Sequence, residues 1–191
     1  MRVLLIGAPG AGKGTQAVRI AEHFGITHIS SGDLLRAHIV KGTSIGRSAH
    51  EYVQRGDLVP DAFVMDMLRK PVVAANASGG YVLDGFPRTV EQAQAAYLTA
   101  RDLGVAVQVA VHLDVARVEL VRRLLARGRG ADDTAEVIEH RLAVYEERTL
   151  PMLDYYRERE QLVIVNGERE MDEVTWSLRV QLQRVSRTLS V

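Results

Sequence analysis

The sequence predicts an α/β protein in which a parallel sheet is covered by helices on both faces. Three observations predict it. Five short apolar runs, Val3–Ile6, His28–Ile29 (the weakest), Tyr81–Leu83, Val105–Leu113 and Leu162–Val165, alternate with stretches of helical periodicity. Parallel strands need such crossover connections, and helices there cover both faces. A glycine-rich turn, Gly7 to Thr15, joins the first run to the first helical stretch, and Asp84 stands at the end of the third run, at the sheet edge where open parallel sheets form their ligand crevice.

The first helix is expected from Lys13 to Phe24, ending at Gly25. Ser30-Ser31-Gly32-Asp33 is a cluster of helix-start residues ahead of Leu34–Ile39, and Lys41-Gly42-Thr43 breaks that helix. Ile45, Ala49, Tyr52 and Val53 give a second amphipathic stretch up to Gly56, and Asp57-Leu58-Val59-Pro60 is a turn. Two short helices in residues 30–60 are more than a minimal crossover needs, which suggests an insert that holds substrate. Asp61 is placed to cap a helix carrying Phe63, Val64, Met67 and Leu68, with Met65 and Met67 read as packing residues. Gly85-Phe86-Pro87-Arg88 is an irregular turn before a helix from Thr89 to about Leu103.

After the fourth run, Asp114 is expected to cap a helix whose Val118, Val121 and Leu125 face the core. Arg123 and Arg127, four apart, share one face of it. Residues 127–133 form a short polar loop, and Thr134 caps a helix with Ile138, Leu142 and Tyr145 on its apolar side. Pro151 should kink or interrupt that helix near its middle. The last run turns through Asn166-Gly167 into a closing helix at about 172–186, in which Trp176 is expected to pack.

Composition narrows the function. The 191 residues can bury one substantial core, and 47% hydrophobic and 25% charged residues are the proportions of a soluble globular protein. With 24 basic and 24 acidic side chains the net charge is zero, which argues against bulk binding to nucleic acid or to a membrane surface. There is no cysteine, so disulfides, thiol catalysis and cysteine zinc clusters are excluded. The six histidines have no metal-ligand spacing. The apolar residues before Gly7 are too few for a signal-peptide core and no run approaches a membrane span, so the expected location is the cytoplasm.

The motif with the most chemistry is Gly7-Ala8-Pro9-Gly10-Ala11-Gly12-Lys13-Gly14-Thr15. A buried strand, a glycine-rich turn and a helix start together make a phosphate loop. Backbone N–H groups of Gly10, Ala11, Gly12 and Gly14 would cradle an anion, the helix N-terminus adds partial positive charge, and Lys13 adds a full one. Thr15 places a hydroxyl for a phosphate oxygen or the water shell of Mg²⁺. The reading is a nucleoside triphosphate site. Asn-Lys-x-Asp is absent, which removes a GTPase reading of Asp84-Gly85.

Together these residues resemble the adenylate kinase family of nucleoside monophosphate kinases. The likeness is carried by Gly7–Thr15, Ser30–Arg36, Gly56–Pro60, Asp84-Gly85-Phe86-Pro87-Arg88-Thr89-x-x-Gln92, Arg123-x-x-x-Arg127, Arg129 with Asp132-Asp133, and Arg141. It implies a P-loop NTPase-type three-layer fold with a five-stranded parallel sheet: one domain over residues 1–191, with a monophosphate-binding insert at 30–59 and a short lid at 127–135. It also implies a monomer acting on AMP, ADP and ATP with Mg²⁺, and a lid without zinc.

The expected chemistry is transfer of the ATP γ-phosphoryl to a monophosphate. The attacking oxygen is already ionised, so no general base is needed, and catalysis is positioning plus charge neutralisation. Arginines and a lysine should therefore carry it: Lys13, Arg88, Arg123, Arg127, Arg129 and Arg141. The resemblance places the donor against the 10–15 loop, Arg123, Arg127 and Arg169. It places the acceptor against Ser31, Arg36, Asp57, Leu58, Val59, Gly85, Phe86, Pro87, Arg88, Gln92, Arg129 and Arg141. Arg88 suits a bidentate phosphate clamp, and Gln92 can present a donor and an acceptor to an adenine edge. Asp84 would organise Mg²⁺ through its water shell, with Thr15 a second candidate. A UMP or CMP acceptor is the nearest rival, and a nucleotide sensor without turnover is a rival of another class. Ser31 with the Arg88–Gln92 spacing favours AMP, and the intact lysine and arginines favour turnover.

Overall fold

The computed structural model describes residues 1–128, 134–159 and 161–189. Its strands are β1 (Arg2–Ile6), β2 (Thr27–Ser30), β3 (Tyr81–Asp84), β4 (Val109–Asp114) and β5 (Gln161–Asn166). They pair in parallel in the order β2-β3-β1-β4-β5. The chain leaves β1 to build one side of the sheet and returns to build the other. The carboxyl end of β1 is therefore the switch point where such sheets open a crevice.

The helices are α1 (Lys13–Phe24), α2 (Ser31–Val40), α3 (Ser44–Arg55), α4 (Asp61–Ala77), α5 (Val90–Asp102), α6 (Arg117–Arg127), α7 (Ala135–Val144), α8 (Met152–Arg159) and α9 (Met171–Leu189). Alternate residues of β1 face opposite layers. Val3 and Leu5 pack with Ile20 of α1 and with Leu178 and Leu182 of α9, while Leu4 and Ile6 pack with Leu35 of α2, Leu68 of α4 and Met152 of α8. This is the expected α/β sheet with helices on both sides.

Local signals set many boundaries. The side chains of Ser30, Thr43, Thr89 and Thr134 accept hydrogen bonds from the backbone N–H three residues on and cap α2, α3, α5 and α7. At five places the structure differs from the sequence-based expectation. Asp61 does not cap α4: it is the first residue of the helix, after Pro60, and its Oδ1 accepts from Gln92 Nε2 at 2.7 Å. The fourth strand begins at Val109 rather than Val105. Val109 is the first residue with a partner on β1, and the Val105 carbonyl instead accepts from the Tyr81 hydroxyl at 2.6 Å. Asp114 does not cap α6: it ends β4 opposite Asn166, its carbonyl accepts from Gly167 N–H at 2.8 Å, and the helix starts three residues later. The buried face of α6 also differs from the expected one. Leu120 and Leu124 are in the core, Val118 and Leu125 are exposed, and Val121 is partly buried. Trp176 does not pack; it is 68% exposed on α9.

Pro151 interrupts the helix as expected. It has no N–H to continue the ladder, and the chain enters it through a π turn, Tyr145–Thr149, closed by Leu150 N–H on the Tyr145 carbonyl at 3.0 Å.

Candidate active site

The site is built at the carboxyl edge of the sheet. Gly10 and Gly12 turn the loop after β1 with φ of 87° and 89°, values that a side chain disfavours, and Gly12 is the N-cap of α1. The loop then runs directly into a helix N-terminus, the arrangement that binds phosphate. Lys13 Nζ donates to the Gly7 and Ala8 carbonyls at 2.8 and 3.0 Å, so the lysine lies back along the loop and helps to hold its curl. Gln16 and Thr175 fasten α1 to α9: the Thr175 hydroxyl donates to Gln16 Oε1 at 2.8 Å, and Gln16 Nε2 donates to the Met171 carbonyl at 3.1 Å.

Asp84 ends β3 beside this loop, its Oδ2 being 3.7 Å from where a Cβ on Gly14 would lie. The next residue, Gly85, has φ of 86°, and a Cβ there would be 2.5 Å from Ser31 Oγ. Only glycine lets β3 turn while α2 approaches so closely. The Phe86–Pro87 peptide that follows is cis. Arg88 is then held at three points. Its Nε donates to the Gly85 carbonyl at 2.7 Å, its N–H donates to Gln92 Oε1 at 2.7 Å, and its carbonyl accepts from the Thr149 hydroxyl at 2.8 Å. With Nε engaged, contact with an anion falls to the two Nη nitrogens.

One cleft gathers Ser31, Arg36, Asp57, Leu58, Val59, Gly85, Phe86, Arg88, Gln92 and Arg141. Gly32, Leu35, Val53, Gly56 and Val64 also line it. Ser31 Oγ is buried there without a hydrogen-bond partner, an unmet polar group of the kind that a ligand can satisfy. Pro87 is not on this cleft. It lines an apolar cavity on the other side of the turn, with Tyr81, Leu83 and Tyr156. Arg36 is ion-paired with Asp33 one turn back on α2.

Arg141, on α7, lies with its Cγ over Gly56, within 2.6 Å of where a Cβ would stand. Next to it, His140 Nε2 is 2.7 Å from Asp57 Oδ1, so α7 touches the turn after α3 at two points. That contact, followed by Arg55, holds the Asp57 carboxyl below the usual carboxylate range. Arg123 is engaged by Glu119 Oε1 at 2.6 Å and by the Gly167 carbonyl at 2.9 Å, which anchors α6 to the turn after β5. Arg169 is exposed in that turn, and Arg129, Asp132 and Asp133 lie outside the described residues.

The charges meet at Lys13. Burial pushes its ammonium below the ordinary value near 10.5 to about 8; Asp84 opposes this, while Arg88, Arg141 and Arg127 add to it. Burial likewise pushes the Arg88 guanidinium down, against Asp84 and with Arg36. Three guanidinium groups and one carboxylate thus act on the Lys13 ammonium, a setting that favours a polyanion.

The sign of the Lys13 shift gives a prediction. Between pH 8 and 10.5 the unfolded chain binds more protons than the folded one, so this group's destabilising contribution is full below pH 8 and is relieved as pH rises through that window. Triphosphate binding favours the charged lysine. At pH 8 each ATP bound should therefore bring about half a proton from solvent. Calorimetry in two buffers of different ionisation enthalpy measures this uptake. It should vanish in Lys13→Arg, whose side chain stays charged, and equal uptake in both proteins would contradict the assignment.

A phosphate loop at the switch point of a 2-3-1-4-5 parallel sheet, facing a second cleft lined by arginines, defines a P-loop kinase that brings two phosphate-bearing ligands together. A family model described as adenylate kinase matches residues 5–161. Similar proteins include "Adenylate kinase 1" of a Nostoc species, 45% identical over 95% of this chain and 98% of its own length. An adenylate kinase of Rhodococcus erythropolis is 46% identical over 91% and 94%. Another, of Kocuria rhizophila, is 44% identical over 96% and 99%. The chain belongs to the adenylate kinase family, whose enzymes are ATP:AMP phosphotransferases.

The sequence did not single out Thr149 or His140 and marked Asp61 only as a helix cap, yet all three hold site residues. Their partners are 61, 83 and 31 positions away, and no local pattern marks such pairs.

Proposed function

We propose a division of labour for the reversible, Mg²⁺-dependent transfer of the ATP γ-phosphoryl to AMP, giving two ADP. Residues 10–15 hold the donor phosphates through backbone N–H groups, and Lys13 neutralises the oxygens of the transferring group. Arg88 grips the acceptor phosphate through its Nη nitrogens, with Arg36 beside it on α2. Arg141 and Arg127 add charge from α7 and the end of α6, and Arg123, Arg169 and Arg129 complete the donor side. The acceptor base sits among Ser31, the 57–59 turn, Gly85 and Gln92. The insert at 30–59 and the short lid at 127–135 exclude water when both ligands are bound.

Asp84 and Thr15 supply oxygen at the loop, which suits an ion that takes oxygen ligands and keeps several waters. Mg²⁺ there would bridge and neutralise phosphate oxygens. Among the described residues no helix is long and apolar enough to cross a membrane; the charge balance and the lack of cysteine favour a cytoplasmic protein that binds no nucleic acid, and the family resemblance favours a monomer.

The observation that carries this reading is the glycine loop with Lys13 folded along it and Asp84 beside it, next to a cleft lined by Arg36, Arg88 and Arg141. It is tested by ADP formation from Mg·ATP with AMP, UMP, CMP and GMP offered separately. AMP should be used at least about 100-fold better than the others, the discrimination expected of a site whose polar groups are left unpaired by the wrong base. Strong turnover with a pyrimidine would overturn the acceptor, and binding without transfer to any acceptor would leave a sensor.

A further inference from the structure

Gln92 is 4% exposed and lines the cleft together with Arg88 and Val64. Its backbone is fixed first: Gln92 N–H donates to the Thr89 side chain at the start of α5, at 3.2 Å. The carboxamide is then held from both ends. Oε1 accepts from the Arg88 backbone N–H at 2.7 Å, and Nε2 donates to Asp61 Oδ1, also at 2.7 Å. Asp61 is the first residue of α4, on a different element and 31 positions away.

The two partners are of opposite kind, and neither can exchange roles. A backbone N–H only donates, and an ionised carboxylate only accepts. An amide flip would turn the carbonyl toward the carboxylate and the NH2 toward the N–H, losing both bonds and adding two repulsive contacts. The carboxamide therefore has one orientation. Of its two N–H groups and two lone pairs, one of each is used. One N–H and one lone pair remain, and the order of the two atoms that carry them is fixed.

That order is what distinguishes the two kinds of purine. A 6-aminopurine presents an N–H beside a ring-nitrogen acceptor, and a 6-oxopurine presents an acceptor beside a ring N–H. A glutamine free to flip would suit either. A glutamine held at both ends suits only one.

We propose that Asp61 is a positioning residue that sets acceptor-base selectivity by locking the Gln92 amide in the polarity that takes a 6-aminopurine monophosphate and rejects a 6-oxopurine. This rests on Gln92 reading the acceptor base, as set out above.

The test is the ratio of kcat/KM for AMP to that for inosine monophosphate, with saturating Mg·ATP, in the parent enzyme and in Asp61→Asn, Asp61→Ser and Gln92→Ala. Inosine monophosphate reverses the polarity of the edge without adding a 2-amino group. Asparagine keeps the size of Asp61 but can offer either an oxygen or an NH2, so the lock is released on that side. Asp61 is exposed, and thermal melting of each variant confirms that it folds. The AMP preference should fall at least about tenfold in Asp61→Asn and Asp61→Ser, the scale of losing one charge-assisted hydrogen bond. The change should appear in the acceptor KM, with the KM for ATP unchanged.

Equal losses for both acceptors would mean a merely structural role and overturn the proposal. An unchanged ratio in the Asp61 variants, together with a collapsed ratio in Gln92→Ala, would also overturn it while leaving Gln92 as the reader. An unchanged ratio in Gln92→Ala would remove the reader itself and the proposal with it.

Discussion

Arg88→Ala is expected to lower kcat/KM for AMP on the order of 10³-fold, with the KM for ATP little changed. The guanidinium is fixed by the Gly85 carbonyl through Nε, while its backbone is tied to Gln92 and Thr149. It is therefore oriented before the acceptor arrives, and little conformational freedom is lost on binding. A preset planar fork of this kind aligns the acceptor phosphate and neutralises charge as the phosphoryl group moves. Arginines with that task contribute about 10³–10⁵ to turnover in other phosphoryl transferases. Lysine keeps the charge but not the fork, so Arg88→Lys should recover only a minor part of the loss. Initial rates over a grid of AMP and ATP concentrations separate the outcomes. A loss confined to the ATP KM would place Arg88 on the donor side and contradict the assignment.

Lys13→Met should lower kcat about 10²–10³-fold, the effect of removing one preorganised electrostatic group from a transition state. The same change should leave the melting temperature of the free protein at pH 7 unchanged or raise it. Burial and three neighbouring guanidinium groups disfavour the Lys13 ammonium, and only Asp84 among the named groups favours it. Methionine has a similar length and no charge to desolvate. Lower activity with undiminished stability is the expected signature of a group kept for catalysis at some cost in stability. A melting temperature several degrees lower would mean that its hydrogen bonds to Gly7 and Ala8 outweigh that strain, and would make the loop lysine structural as well.

How far the site could be read in the sequence depended on the range of the interactions. The phosphate loop was legible because a strand, its glycines, Lys13 and the helix start are contiguous, and α1 begins and ends at the expected residues. Thr89 and Thr134 were legible as helix starts because a cap acts over three residues. The buried face of α6 was not. Val118, Val121 and Leu125 make as good an apolar stripe as Leu120 and Leu124. The choice was made by tertiary packing, which puts Leu120 and Leu124 in the core with Leu113 and leaves Val118 and Leu125 exposed. Trp176 misled for a related reason: Val174, Leu178, Leu182 and Val185 already fill the inner face of α9.

The sequence alone determined the chemistry: a lysine and several arginines, no thiol, an acid at a strand end and a loop for phosphate, in an order that places them on one sheet edge. Only the tertiary structure decided how those groups are aimed. Arg88 is held by Thr149, Asp57 is paired with His140, Arg141 lies over Gly56, and the Gln92 amide has the polarity that Asp61 imposes. The reason is physical. Periodicity, caps and glycine turns are properties of near neighbours along the chain. The orientation of a side chain is set by whichever partner the crossovers bring to it from dozens of residues away.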